Sequence, residues 1–310
     1  MTLRNDYDVV VAGGGAAGLN GALLLARSRR SVLVIDAGEP RNAPAGGVHG
    51  LLAREGMPPA ELVERGRAEV RGYGGEVVRG EVASVTGAAG DFTVTLADGS
   101  AVRARRLLVA TGLADELPGL PGLAEGWGRN VLHCPYCHGW EVRDQAIGVL
   151  ASGPMSVHQA LMFRQLSDDV TYFTHDRPLP AEDAEQLAAR GIAVVEGEVA
   201  AWEETGVRLR DGSLVARQAL AVATRMVVRA GFLKELGLLP VEHPAGVGEH
   251  IPADPAGRTS VPGVWVAGNA TDLMAFVGGA AAAGAMAGAQ INGDLVAEEA
   301  GRAVEARRAS

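Results

Sequence analysis

The sequence predicts an α/β protein made of two Rossmann-like three-layer units, each with a parallel sheet between other layers. A glycine-rich loop stands between an N-terminal strand and a helix, which is the start of one such unit. A stretch near residue 100 recurs near residue 213, which indicates a second copy. With 310 residues, 47% of them hydrophobic, the chain is long enough to fold as two units with proper cores.

The N-terminal loop has the pattern of a dinucleotide-binding site. An apolar strand over Asp8–Ala12 precedes the run Gly13-Gly14-Gly15-Ala16-Ala17-Gly18, and a helix follows to about Ser28. The next strand, Ser31–Ile35, ends at Asp36. The glycines let the backbone approach a pyrophosphate at the helix N-terminus, and the acid can bind a ribose hydroxyl.

The repeat is a supersecondary unit found twice. Residues Leu96–Gly112 and Leu209–Arg225 match at 9 of 17 positions with a constant offset of 113. Each copy has an Asp-Gly-Ser turn followed by a strand that ends in Ala-Thr. The regular spacing predicts an internal duplication of the whole unit.

The second copy has lost the features that bind a nucleotide. Ser152, Pro154 and Val157 stand where the first copy has its three glycines. Proline removes an N–H donor and adds bulk at the phosphate loop, and valine blocks close helix–strand packing. His175 replaces the acid, and Arg177 is the positive charge near it. We therefore expect a second unit that keeps the fold without ordinary NAD(P)H binding; an unusual loop that still binds the nucleotide is the alternative.

The remaining pattern completes the two units. A helix is predicted over Pro58–Gly72, meander strands over Glu76–Val85 and Phe92–Leu96, and a late buried strand over Val264–Asn269. Fraying is expected from about Glu298.

Composition restricts the partners and the location. The net charge of −9 and the pI of about 5.3 argue against nucleic acid and anionic membranes as partners. The segment Leu273–Ile291 carries no charge, but 12 of its 19 residues are Ala or Gly, which predicts a tightly packed helix and no membrane span. No export signal is recognisable before the first strand, so a cytoplasmic protein is expected.

The two cysteines of the chain lie in the motif Cys134-Pro135-Tyr136-Cys137-His138, between the two predicted nucleotide-type folds. The CxxC spacing holds two sulfurs close enough to form and break a disulfide. A helix that begins at the pair would lower the pKa of one thiol. His138 is suited to accept or donate a proton near neutral pH. The motif therefore predicts a redox-active dithiol, Cys134 and Cys137, with His138 as its proton-transfer group.

Other interpretations of the motif are weaker. A zinc site needs four ligands, and His133 and His138 cluster too tightly with the cysteines for a tetrahedron, so no metal is predicted. The string Cys-x-x-Cys-His is also a covalent haem attachment motif, which is normal in exported proteins. Cys-Pro-Tyr-Cys occurs in glutaredoxins, but those are small thioredoxin folds. Inert buried cysteines remain an alternative, although Pro, Tyr and His fit a surface turn better than a core.

The motifs together resemble the low-molecular-weight thioredoxin reductase family over nearly the whole chain. They are the glycine loop with Asp36, the run Glu39-Pro40-Arg41-Asn42, then Ala110-Thr111-Gly112, the CxxC pair and Trp265–Asn269, in family order. In that family an FAD domain built from both chain ends is interrupted by a smaller NADPH domain that carries the CxxC. The resemblance implies an FAD domain at residues 1–115 and 246–310, an inserted domain at residues 116–245, and a homodimer.

The resemblance also implies which residues hold FAD. Val82 and Val277 match positions that touch adenine and isoalloxazine, and His49 lies in a glycine-rich loop expected to border the cofactor. The FAD-contacting set is Gly13, Gly15, Ala16, Ala17, Gly18, Asp36, Ala37, Asn42, His49, Val82, Ala110, Thr111, Gly112, Gly268, Asn269 and Val277.

Two departures from the family's reductases change the implied activity. The chain lacks their second glycine motif and arginine cluster for NADPH, and it has His138 where they have an aspartate as proton donor. The Cys-Pro-Tyr-Cys-His-Gly string is more similar to the dithiol oxidases of natural-product pathways. Those enzymes close disulfides in gliotoxin, holomycin and romidepsin and pass the electrons through FAD to O2. The resemblance implies an FAD-dependent oxidase of a small-molecule dithiol that produces H2O2.

Three functions remain open from the sequence. In the oxidase, a substrate thiolate is expected to attack Cys134, while Cys137 faces the flavin. In a thioredoxin reductase, electrons would run from NADPH or a ferredoxin-type donor to a thioredoxin-like protein. A non-catalytic FAD-binding redox sensor is the third, and it leaves the cysteine motif without a task.

Overall fold

The computed structural model describes residues 4–310, which form an α/β protein around two parallel sheets. The first segment contains β1 (Asp6–Ala12), α1 (Ala16–Arg27), β2 (Val32–Asp36), α2 (Pro59–Gly72), β3 (Glu76–Arg79), β4 (Val82–Ala88), β5 (Asp91–Leu96), β6 (Ala101–Val109) and β7 (Leu113–Glu116). The middle segment contains α3 (Leu123–Gly126), β8 (Val131–Leu132), α4 (Pro135–His138), β9 (Ile147–Leu150), α5 (Ser156–Phe163), β10 (Val170–Phe173), α6 (Ala181–Ala189), β11 (Ala193–Val195), β12 (Val199–Glu203), β13 (Gly206–Leu209), β14 (Leu214–Ala216), β15 (Ala219–Ala221) and β16 (Arg225–Val228). The last segment contains β17 (Val241–Glu242), β18 (Glu249–His250), β19 (Val264–Val266) and α7 (Val277–Ala309). Short 3-10 helices lie at Trp140–Val142, Gly231–Leu236 and Gly268–Ala270.

The first sheet draws strands from both ends of the chain. Its parallel part has the order β3-β2-β1-β6-β19. Strand β6 pairs with β5 along its first half and with β19 along its second, and β4 and β5 form the antiparallel meander. Alternate residues of each strand face opposite sides, so Val9 packs under α1 and α7 while Val10 packs against the meander. These are the three layers that the sequence predicts.

The second sheet repeats this plan. Its parallel strands have the order β11-β10-β9-β15-β8. Helices α5 and α6 cover one face through Phe163 and Leu187. The small antiparallel sheet β12-β13-β14 covers the other face through Trp202 and Val207.

The duplication is visible in matching turns. Asp98 Oδ1 accepts a hydrogen bond from Ser100 N at 2.9 Å before β6. Asp211 Oδ1 accepts the same bond from Ser213 N at 2.8 Å before β14 and β15. The strand that is continuous in the first copy is divided into two in the second.

The two sheets are joined by an antiparallel pair, β7 and β16, in which Ala114 lies opposite Val227. After β16 the chain returns to the first sheet, because Leu233 and Leu238 belong to the hydrophobic cluster of the meander. The domain boundaries at residues 115/116 and 245/246 stay predictions.

Helix α7 packs on α1 through small residues, as the segment Leu273–Ile291 predicts. A Cβ on Gly284 would lie 1.9 Å from the carbonyl oxygen of Ala17, and one on Gly288 would lie 2.8 Å from that of Gly21. Among residues 4–310 no helix has the length and apolar character needed to cross a bilayer.

Three details of the predicted elements are wrong. The strand predicted over Val264–Asn269 ends at Val266, and a 3-10 helix begins at Gly268. The single strand predicted over Glu76–Val85 is two strands, because the chain leaves the parallel sheet at Gly80, whose N–H donates to Asp36 O at 3.0 Å, and turns into the meander. The predicted fraying from Glu298 does not occur, since α7 continues to Ala309. Glu298 Oε2 binds Arg106 at 2.5 Å and thereby ties this part of the helix to β6.

Candidate functional site

One cavity of about 1510 Å³ extends from the glycine loop after β1 to the dithiol after β8. It lies beyond the carboxyl ends of the parallel strands, where open α/β sheets bind their ligands. All the predicted site residues line it except Gly18. The predicted cofactor site and the predicted redox site therefore share one space.

The glycine loop fits close approach of a phosphate. Gly13 has φ +103, and a Cβ there would lie 2.3 Å from the carbonyl oxygen of Ala110. A Cβ on Gly15 would meet nothing within 4 Å, so this position faces open space at the start of α1. Thr111 Oγ1 is buried without a hydrogen-bond partner among the described residues. A buried hydroxyl next to the loop that lacks a partner indicates a ligand with polar atoms there.

Gly18 and Asp36 support this loop in different ways. Gly18 packs on the loop, since a Cβ there would lie 1.9 Å from Gly13 O. Asp36 lies at the end of β2 and accepts a 2.6 Å bond from Arg67 on α2 through Oδ2. Arg67 is not among the residues predicted from the sequence; its place on the inner side of α2 was the available signal.

The other predicted FAD residues lie along the same wall. Asn269 is held in place by its own amide, which donates to Asp272 O at 2.9 Å and Ala275 O at 3.0 Å. The rest of this group is Ala16, Ala17, Ala37, Asn42, Val82, Ala110, Gly112, Gly268 and Val277. A cradle with a phosphate loop, a carboxylate after β2 and a long apolar wall fits FAD. The contact of each residue with FAD stays a prediction.

His49 is engaged by two carboxylates. Its Nδ1 lies 2.5 Å from Glu55 Oε1, and its Nε2 lies 3.3 Å from Glu141 Oε1. Since Glu141 follows the dithiol helix, His49 links the loop after β2 to the redox segment as well as lining the cavity.

The dithiol lies at a helix N-terminus, which is the condition under which the sequence leads us to expect one thiol with a lowered pKa. Cys134 caps the short helix α4, and its Sγ accepts a hydrogen bond from the backbone N–H of Cys137 at 3.2 Å. The hydrogen bond from the Cys137 thiol, joined by backbone donors of Cys137 and Tyr136, lowers the pKa of Cys134 to about 7. Donating that bond raises the pKa of Cys137 above its ordinary value. Cys134 is therefore the thiolate of the reduced pair, and Cys137 is the thiol.

His138 ends the same helix and is half-buried. Burial lowers the pKa of His138, with the nearby Glu141 acting in the opposite direction and His49 adding to the decrease. The imidazole is thus neutral near pH 7, which is the form that can accept a proton from a thiol.

Exposed apolar side chains surround the mouth of the cavity. Tyr136 is 67% exposed, and its ring meets Phe276 edge-on with centroids 5.8 Å apart. Phe276, Met155 and Met274 are also exposed and line the cavity. The rim could not be predicted from the sequence because its members come from three separate segments.

The loop of the second copy that corresponds to the glycine loop is hydrogen-bonded to the segment after β15. Ser152 Oγ accepts a hydrogen bond from Ala223 N at 2.8 Å and donates one to Ala223 O at 3.0 Å. In the first copy the corresponding pair is Gly13 and Ala110, where a Cβ on Gly13 would lie 2.3 Å from Ala110 O and Ala110 N donates to Ala12 O. His175, at the position of the acid, accepts a bond from Val199 N at 2.9 Å through Nδ1. Ser152 Oγ and His175 Nδ1, which stand at the positions of Gly13 and the acid, are thus engaged within the protein.

Comparisons with known proteins agree with this architecture. The family model described as pyridine nucleotide-disulphide oxidoreductase matches residues 7–288. The chain is 31% identical to thioredoxin reductase tcpT of Claviceps purpurea, over 96% of this chain and 97% of that protein. It is 31% identical to thioredoxin reductase sirT of Leptosphaeria maculans, over 94% and 95% of the two chains.

Solved structures give closer matches. The crystal structure of HlmI superposes with a TM-score of 0.92 at 47% identity, covering 100% of this chain and 99% of that chain. An oxidoreductase from Agrobacterium tumefaciens superposes with a TM-score of 0.90 at 35% identity, covering 94% and 99%.

Proposed function

Because the chain belongs to the pyridine nucleotide-disulphide oxidoreductase family, we propose that it is the oxidase of a small-molecule dithiol, with O2 as the final acceptor. At the level of the family it is a flavin-dependent thiol–disulfide oxidoreductase, and its cofactor is FAD. The observation that carries the finer proposal is the pair of hydrogen bonds between Ser152 and Ala223, which places a bonded side chain where the first loop has Gly13. This argues against NAD(P)H as the electron donor and favours electron entry from the thiol side.

The cysteine pair converts a dithiol into a disulfide in two exchanges. One substrate thiolate attacks Cys134 of the Cys134–Cys137 disulfide, forming a mixed disulfide and releasing Cys137 as the thiolate. The second substrate thiolate attacks the substrate sulfur of that mixed disulfide and releases Cys134. The substrate loses two electrons and two protons, and the pair gains both. FAD, when bound, would supply a two-electron acceptor for the reduced pair, with O2 as the final acceptor and H2O2 as the product.

The site favours the second exchange and the proton transfers. A thiolate with a low pKa leaves readily, and Cys134 has its pKa lowered to about 7 by the hydrogen bonds from Cys137. Neutral His138, next in the chain to Cys137, accepts a proton from an incoming substrate thiol.

The rim supports a compact substrate of low polarity. Tyr136 and Phe276 present an aromatic corner beside the cysteines, and Met155 and Met274 extend it. Flat aromatic and thioether surfaces bind apolar ligands without demanding a charged partner. The relatives tcpT and sirT are named thioredoxin reductases. The direction of electron flow in this chain therefore needs an experimental test.

A thioredoxin reductase is the second candidate, favoured by the names of those relatives. It would need a hydride donor, whereas Ser152 Oγ and His175 Nδ1 are engaged within the protein at the positions where the first copy has Gly13 and Asp36. A donor such as reduced ferredoxin would avoid this objection. The homodimer and the cytoplasmic location stay part of the proposal.

The test is an anaerobic absorbance titration of the yellow holoprotein, first with NADPH and then with a neutral aromatic dithiol. We expect the dithiol to bleach the flavin and NADPH to leave it oxidised. Readmitted air should restore the colour with one H2O2 per dithiol. Rapid bleaching by NADPH, followed by reduction of thioredoxin, would overturn the proposal in favour of the reductase. A flavin that no dithiol and no NADPH reduces would indicate a sensor.

A further inference from the structure

Arg41 joins three segments of the chain in the cavity that contains the dithiol. It lies in the loop after β2, and its Nε and Nη2 bind Asp115 Oδ2 and Oδ1 on β7 at 2.6 and 2.7 Å. Thr224 Oγ1, just after β15, donates to the same Asp115 Oδ1 at 2.7 Å. The side chain of Asp115 is only 6% exposed, so this is a nearly buried, bidentate ion pair.

Hydrogen bonds at the end of the second sheet connect the Arg41–Asp115 pair to the segment that carries the cysteines. Strand β15 pairs with β8, and Val222 N donates to Leu132 O at 2.8 Å. His133 Nδ1 lies 3.2 Å from Val222 O, and Cys134 follows His133 directly. Gln159 adds a second tie, because its Nε2 donates to His133 O at 2.6 Å. The backbone that leads into the dithiol helix is therefore fixed to the segment after β15, which also contains Thr224.

The charges around this pair are few. Burial by itself would raise the pKa of Asp115, but the hydrogen bonds and charge of Arg41, with Thr224, outweigh it and keep that pKa below its ordinary value. Burial, with the charge of Arg41, lowers the pKa of His133. Asp115 is thus an anion and His133 is neutral near pH 7. Arg41 lines the same cavity as the cysteines, and its positive charge favours the thiolate of Cys134.

We propose that Arg41 is a positioning residue of the dithiol: with Asp115 it anchors the strand end that leads into Cys134 and places a fixed positive charge beside the Cys134 thiolate. Nothing in the sequence motif assigns it this role, since it stands 93 positions before Cys134. Stabilising the thiolate favours the reduced pair and makes the disulfide a stronger oxidant. The proposed dithiol oxidase needs a disulfide that readily oxidises its substrate, so this effect of Arg41 favours the proposed activity.

The test compares the reduced holoprotein with Arg41→Met/Asp115→Asn, which removes both charges together and leaves no unpaired ion. The control is Arg208→Met/Glu203→Gln, because Arg208 binds Glu203 with the same bidentate geometry at 2.9 Å outside the cavity. The rate of Cys134 alkylation is followed against pH, with the modified sulfur located by peptide fragmentation. Flavin content and Tm show that each variant is folded.

We expect Cys134 alkylation in the Arg41 variant to shift to higher pH and to slow roughly fivefold at pH 7 for a pKa rise of one unit. Equilibration with glutathione redox buffers should show the disulfide favoured more than in the parent. The control should match the parent in both measurements. Arg41→Lys, which keeps the charge without the fork, should fall between parent and double variant. This second variant also tests the idea if the double variant does not fold.

An unchanged alkylation profile and redox equilibrium in a folded, yellow Arg41 variant would overturn the proposal. So would an equal shift in the Arg208 control. Neither measurement uses turnover of a dithiol substrate. A failure of the proposed oxidase activity would therefore leave this result standing, and the reverse also holds.

Discussion

The backbone N–H of Cys137 donates to Cys134 Sγ over 3.2 Å, so the second cysteine stabilises the first as a thiolate. The thiol of Cys137 is the largest contributor to the lowering of the Cys134 pKa to about 7. In Cys137→Ala the backbone donors and the charge of Arg41 remain and are opposed by burial, so the Cys134 pKa should rise from about 7. Thiolate absorbance against pH measures it. If Cys134 in the Cys137→Ala variant has the same pKa as in the parent, the Cys137 thiol makes no such contribution.

Both cysteines should be required for turnover and neither for cofactor binding. Cys134→Ser removes the sulfur that forms the mixed disulfide, and Cys137→Ser prevents the disulfide itself. Each variant should keep its yellow flavin spectrum and lose dithiol-dependent O2 consumption. The flavin spectrum is the internal control for folding. Full activity in either variant would rule out the two-exchange scheme.

His138 should act as a base that works when neutral. Burial lowers its pKa, so the imidazole loses its function as the pH falls through a value below the ordinary 6.5. His138→Gln should reduce kcat by about 100-fold and remove that acid limb from the pH profile of kcat. His243→Gln, on the surface hairpin, is the matched control. A parental pH profile in His138→Gln would assign the limb to another group.

Substitutions at two glycines should have different effects, one on FAD affinity and the other on the free energy of unfolding. Gly15→Ala adds a methyl to open space at the phosphate loop, so FAD should bind at least tenfold more weakly while the apoprotein keeps its Tm. Gly284→Ala places its methyl 1.9 Å from Ala17 O and should destabilise the protein by about 1–3 kcal/mol, despite the better helix propensity of alanine.

Gly293→Ala is the control on the same helix, α7, because its methyl would meet nothing within 4 Å. It should stabilise the apoprotein by about 0.5–1 kcal/mol. Denaturant unfolding measures the two α7 variants, and FAD titration measures Gly15→Ala. Equal unfolding free energies for the Gly284 and Gly293 variants would contradict the close packing of α7 on α1.

The ion pairs that hold the end of α7 should make the free energy of unfolding depend on pH in the acid range. Burial alone would raise the pKa of Glu298, but Arg106 and Arg105 lower it below the ordinary 4.5. The stabilisation is complete above pH 4.5 and is lost as the pH falls through the lowered value. Arg106→Leu should cost about 2 kcal/mol at pH 7 and flatten the decrease of Tm below pH 4.5. Arg103→Leu, at an exposed pair, should leave this dependence unchanged.

The fold and half of the site follow from local sequence. The Gly13–Gly18 loop, the strand ending at Asp36 and the Cys134–Cys137 spacing each lie within a few residues, and local backbone geometry suffices to interpret them. The Asp-Gly-Ser turns disclosed the duplication because both copies keep the same hydrogen bond.

Only the tertiary structure decided how these parts meet. Arg41 and Asp115 are 74 positions apart, and Ser152 and Ala223 are 71 apart, yet each pair is joined by hydrogen bonds. The sequence by itself determined the two nucleotide-type units, the broken second loop and the dithiol, because these depend on periodicity and short spacing. The shared cavity, its aromatic rim and the Arg41–Asp115 pair depend on how the sheets and their loops pack. Contacts of that kind leave no periodic signal in a single chain.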